Sequence, residues 1–162
     1  MEARFALVLL LAQAIGPTDI ARVDEFIDAP RALFGRTRAE IVRRLGAPLT
    51  VESRSLPRYT HPEVRDRVED LAYSGVTFGV IAGVRENAAA LRRVAVTSNA
   101  FSLPRALNIG AERRRVEQVL GEPQELTPSR YLYLYADGFP DTVEFFFRDD
   151  RVHRIEWNYS VQ

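Results

Sequence analysis

The chain has 162 residues, 46% of them hydrophobic and 27% charged, which fits one compact domain or two small repeats sharing a core. Its 22 basic residues, all arginine, balance 22 acidic ones, so the net charge of +0 implies no global pull toward nucleic acid, membrane or acidic substrates. With no cysteine there is no disulfide, thiolate metal site, cysteine nucleophile or lipid-modified N-terminal cysteine.

Met1-Glu-Ala-Arg4 precedes the apolar run Phe5–Leu11 and then Ala12-Gln13-Ala14, the pattern of a secretory signal with its cleavage site. The competing reading is a buried first helix of a cytosolic domain, since Glu2 offsets Arg4. The run is too short to span a bilayer. Because Ile15-Gly-Pro-Thr18 restarts cleanly, residues 1–14 are taken as the signal, with the mature protein periplasmic or secreted.

Thr18 or Asp19 can cap a helix whose apolar face is Ile20, Val23 and Ile27, with Pro30 expected to end it. Next comes Gly35-Arg-Thr-Arg-Ala-Glu-Ile-Val-Arg-Arg-Leu-Gly-Ala-Pro48, which returns as Gly110-Ala-Glu-Arg-Arg-Arg-Val-Glu-Gln-Val-Leu-Gly-Glu-Pro123. Ile41, Val42 and Leu45, then Val116, Val119 and Leu120, fall at helical spacing, and Leu-Gly-x-Pro stops each helix. Thr37 and Glu40 form a capping box. The second copy has Glu112 and Arg115 there, so its start is weaker by about 1 kcal/mol. The division is 15–103 for a first repeat with its N-terminal helix and 104–162 for the second.

Residues 49–54 read as a strand with Thr50, Glu52 and Arg54 on one face. Pro57 and Pro62 break the next stretch, where Val64, Val68 and Leu71 have helical spacing for a turn or two. Leu71–Tyr73, Val76–Val80 and Leu91–Thr97 follow as strand material, with a long loop over 81–90. In the second copy Tyr131-Leu-Tyr-Leu-Tyr135 alternates strictly, and Asp137-Gly138 with Pro140 marks a turn. Thr142–Arg148 and Val152–Tyr159 flank a tight Asp149-Asp150 turn. Val76–Val80 aligns with Val143–Phe147, and Leu91–Thr97 with Val152–Asn158.

An antiparallel sheet often buries one face under helices. The expected buried face holds Leu132, Leu134, Val143, Phe145, Phe147, Ile155 and Trp157. The other face is then a contact surface of Tyr131, Tyr133, Tyr135, Phe146, Arg148, Arg154 and Glu156, with Glu144 and Asn158 beside them. Tyrosine and arginine carry much of the energy in protein interfaces. The plainer reading, that the tyrosines only pack, stays open.

No residue set announces a reaction. His61 lies near Glu63 and Asp66, yet no H-E-x-x-H, G-x-S-x-G or phosphate-cradling glycine loop is present. No metal or cofactor is expected. Arg113-Arg114-Arg115 reads as a solvated face balanced by Glu112 and Glu117.

The two glycine-opened helices closed by Leu-Gly-x-Pro resemble the motif helix of the small protein A / outer-membrane lipoprotein A family. Their tandem arrangement, each helix followed by a sheet, is similar to the β-lactamase inhibitor proteins. The resemblance covers residues 33–159 as architecture and implies an α+β fold, its two sheets side by side as one curved surface with the helices on one face. It also implies an exported protein that works by binding another protein. Without cysteine, neither the lipid anchor of the first family nor the disulfides of the second carry over, and no inhibitory loop does. The expectation is a non-enzymatic protein-binding module without nucleic acid, membrane span or lipid anchor. The alternatives are a structural protein pairing as a homodimer through its tyrosine face, or a small enzyme using His61 with Glu63 or Asp66.

Overall fold

The computed structural model describes residues 14–58, 61–82, 90–136 and 141–160. Apart from Ala14, the expected signal lies outside the described residues, as do most of the 81–90 loop and the Asp137-Gly138-Pro140 turn. The helices are α1 (Ile20–Phe34), α2 (Arg38–Leu45) and α3 (Arg113–Leu120). The strands are β1 (Thr50–Pro57), β2 (Arg65–Tyr73), β3 (Val76–Ala82), β4 (Ala90–Val96), β5 (Glu125–Thr127), β6 (Arg130–Leu134), β7 (Thr142–Arg148) and β8 (Arg151–Asn158). They form one open antiparallel sheet of eight strands, in the order β1-β2-β3-β4-β8-β7-β6-β5. The fold is α+β, as expected.

Asp19 caps α1 by accepting the Arg22 N–H at 3.2 Å. Val23, Phe26 and Ile27 are buried, whereas Ile20, expected beside them, is 58% exposed. Pro30 does not end the helix, which runs on to Phe34. A proline inside a helix leaves the carbonyl four residues back without its donor. Here that carbonyl belongs to Phe26, and the Trp157 indole donates to it at 2.9 Å. The Tyr159 hydroxyl donates to the next carbonyl, that of Ile27, at 2.8 Å. Tertiary bonds thus replace the missing helical one.

In α2, Thr37 accepts the Glu40 N–H at 3.2 Å, and the Glu40 carboxylate reaches back to the Arg36 N–H at 2.6 Å. That bond, foremost, holds the Glu40 carboxyl below its ordinary range. Glu112 at the head of α3 makes no side-chain cap.

Helix and meander occur twice with the same contacts at matching places. The Tyr73 hydroxyl donates to Gly46 O beyond α2, and the Tyr133 hydroxyl to Gly121 O beyond α3, both at 2.9 Å. Leu91 N–H bonds Arg36 O, and Val152 N–H bonds Ala111 O. The ladder shifts register at Gly79/Val80 and at Phe146/Phe147, aligned positions.

Two local expectations are corrected. The first strand extends to Pro57, and the stretch expected to turn as helix around Val64, Val68 and Leu71 is strand β2. Leu71 lies opposite Phe78 on the helix-covered face, while Val68 lies opposite Ile81 on the other. Burial on both faces of one strand, rather than a helical period, produces that spacing. β5, not anticipated, pairs with β6.

Candidate functional site: the helix-free face of the sheet

The core occupies one face. Phe26 stacks on Phe145 and Trp157, and Phe34 meets Phe78 edge-on. The opposite face is set by strand alternation. One row across the sheet runs Thr50, Ala72, Thr77, Ala95, Glu156, Glu144, Leu132 and Glu125. A neighbouring row holds Asp70, Gly79, Arg93, Asn158 and Thr142.

Glu156 and Glu144 stand directly opposite each other, a pairing that repels unless countered. Arginines counter it. Arg93 grips Glu156 with Nε at 2.7 Å and Nη2 at 2.9 Å, and Arg154 adds Nη2 at 3.2 Å. Arg130 bridges Glu144 at 2.8 Å and Glu125 at 2.7 Å. Arg54 sits 3.4 Å from Asp70. The forked bond from Arg93 keeps its guanidinium charged more firmly still. The Arg154 guanidinium lies 4.0 Å from the centre of the Phe146 ring, a cation–π distance. Among the described residues, Asp70 Oδ1 and Arg154 Nε are buried with no hydrogen-bond partner.

Of the expected contact residues, Phe146, Arg154 and Glu156 come together here, and Arg148 is exposed at the hairpin end of β7. The tyrosines do not join them. Tyr131 and Tyr133 are 3% and 0% exposed, and half-buried Tyr135 packs against the core. Register is the cause: Tyr131 lies opposite Phe145 and Tyr133 opposite Val143, both core residues. Leu132 and Leu134, expected inside, take the helix-free face, where Leu134 is 41% exposed. The Tyr131 hydroxyl meets Glu117 of α3 at 2.5 Å, so both buried tyrosines of β6 find an acceptor on that helix or its cap. Aligning Leu71-Ala-Tyr73 with Tyr131-Leu-Tyr133 was the available signal, since Leu71 belongs inside.

Burial pushes the hydroxyls of Tyr131, Tyr133 and Tyr159 up from their ordinary range. A raised folded-state value means the unfolded chain gives up these protons first, so stability falls as pH rises past about 10. In an alkaline titration, part of the tyrosinate absorbance should appear only as the far-UV circular dichroism is lost. Full tyrosinate absorbance from an intact fold would contradict this placement.

His61 sits in an exposed turn with Nδ1 3.3 Å from Glu63, and Asp66 is held by Arg58 at 2.6 Å and 3.2 Å. That pairing holds the Asp66 carboxyl below its ordinary range and occupies it with Arg58. A cleft of about 530 Å³ opens between Ala14–Gly16, the start of α3 and the β7–β8 hairpin. Four of its charged side chains pair with one another, Arg113 with Asp150 at 2.9 Å and Arg151 with Glu112 at 3.1 Å. Among the described residues no cluster of three or more histidines and carboxylates could hold a metal, and no helix is long and apolar enough to cross a membrane. Compared with protein-family models, curated proteins and solved structures, the chain matches none.

Proposed function

We propose that the chain is an exported, non-enzymatic protein-binding module whose contact surface is the helix-free face of the sheet. One observation carries the reading: Phe146 and a lattice of carboxylate-held arginines lie on a face opposite all the helix packing. Side chains already ordered by ion pairs lose less freedom on contact. The alternation of charge across the face favours a protein surface of mixed charge over the uniform phosphates of nucleic acid. Export is supported by the apolar run and Ala12-Gln13-Ala14. The resemblance to exported families that bind proteins points the same way.

The test is photo-crosslinking in the native cells, with benzoylphenylalanine at Leu134 or Thr77 on the face and at Arg43 on α2 as control. Discrete adducts with another protein from the two face positions, absent from the control, are expected. No adducts, or adducts only with a second copy of the chain, would overturn the proposal.

A further inference from the structure

β1 is an outer strand of the sheet, and every residue in it except Leu56 is exposed. An open edge presents unpaired backbone N–H and C=O groups, which proteins generally block. The ladder with β2 decides which residues present them. Arg58 donates its N–H to Val64 O, and the register runs unbroken from Pro57 opposite Arg65 to Thr50 opposite Ala72. Bonded pairs recur at every second residue of an antiparallel ladder. Even-numbered residues therefore turn their backbone groups to β2, and Val51, Ser53 and Ser55 turn theirs outward.

We propose that this edge pairs with the same edge of a second copy, antiparallel and centred on Ser53. A two-fold axis there sets Ser53 opposite itself and Val51 opposite Ser55 of the second copy. All three carry outward backbone groups, so about six N–H···O bonds form. The same axis sets Glu52 opposite Arg54 of the second copy, twice over, so the strand is complementary in charge to itself. Arg54 is 54% exposed and retains donors beyond its contact with Asp70. Leu49 and Val51, 74% and 44% exposed, gain cover at the ends, where Leu49 meets Pro57. Other registers do worse. Centring on Ser55 places Pro57, which lacks an N–H, in a bonded pair with Ser53, and centring on Val51 leaves Glu52 and Arg54 unpaired. Centring on Glu52 or Arg54 keeps bonded pairs but sets Glu52 opposite Glu52, or Arg54 opposite Arg54, like charges face to face. One strand pair is less than a standard interface, so the dimer is weak and dissociates on dilution. Its helix-free faces stay open, and the inference does not depend on the binding role proposed above.

Sedimentation equilibrium across the micromolar range tests it, with circular dichroism to check each variant's fold. The wild-type chain should dimerise reversibly, and Glu52→Arg and Arg54→Glu should each weaken the dimer roughly tenfold or more. Mixing those two variants sets opposite charges face to face again and should restore dimers near wild-type strength. Ser53→Pro removes an N–H that is turned away from β2 and should also give monomers. It decides the matter should Arg54→Glu upset the fold through Asp70. A wild-type chain monomeric throughout, a dimer indifferent to these changes, or a mixture no tighter than its components would overturn the proposal.

Discussion

Trp157→Ala is expected to cost about 3–5 kcal/mol, near the loss of the fold for a domain of this size. Trp157 is fully buried and stacks on Phe26 at 5.5 Å between ring centroids. The more informative change is Trp157→Phe, which keeps most of the apolar volume but removes the donor to Phe26 O. That carbonyl would be left buried without a partner, at about 1–3 kcal/mol, in addition to the lost volume. Pro30 is the reason the carbonyl needs the indole at all. In a Pro30→Ala background a helical N–H is available to it, so Trp157→Phe should cost about 1–2 kcal/mol less than in the wild type. Urea unfolding of the four proteins in this cycle measures the coupling. Strictly additive costs would mean that the indole and the helix do not share this acceptor.

Gly121→Ala should be far more damaging than Gly46→Ala, although the two glycines end matching helices. Both have positive φ, +75° at Gly121 and +82° at Gly46, so alanine is strained at either by about 1 kcal/mol. At Gly46 an added Cβ meets nothing within 4 Å. At Gly121 it would lie 2.0 Å from Pro17 O, 2.7 Å from Pro17 C and 2.9 Å from Thr18 Cα, all backbone atoms. The segment before α1 would have to move, breaking Asp19 N–H to Leu120 O and Glu122 N–H to Gly16 O, each at 2.8 Å. A cost of about 3 kcal/mol or more follows for Gly121→Ala, from strain plus the lost bonds. Thermal denaturation should separate the two variants widely. Amide exchange should speed at Asp19 and Glu122 in the Gly121 variant alone. Equal melting temperatures would refute the close approach.

The helix motifs were legible because they are local: Thr37, Glu40 and the two Leu-Gly-x-Pro stops act within one or two turns. The matched strands were legible because Val76–Val80 and Val143–Phe147 carry the same period-two pattern. What failed was decided at long range. Pro30 breaks a helix unless a distant donor replaces its N–H, and nothing local in the chain declares Trp157 to be that donor. Alternation in Tyr131–Tyr135 gives two faces but not which is inside, since leucine and tyrosine both suit a core when the hydroxyl has an acceptor. Register against β7 and the acceptors on α3 settle it. Phe146, Arg154 and Glu156 lie on the sheet face where alternation put them. Arg93 and Arg130 were missed as members of the charge lattice because their carboxylates come from other strands.

The helix made early is seated on the strands made last. Phe26 rests on Phe145 and Trp157, and its carbonyl waits for an indole 131 residues further along the chain. β4, too, has no neighbour on its outer side until β8 is synthesised. As the chain leaves the ribosome, α1 can meet the first meander through Phe34 and Phe78, but its contacts with Phe145 and Trp157 are among the longest-range in the molecule. Full seating of α1 therefore waits until β8 has emerged. Until then the Phe26 carbonyl has no indole to bond and β4 no outer neighbour, so the first half of the chain alone does not complete the fold.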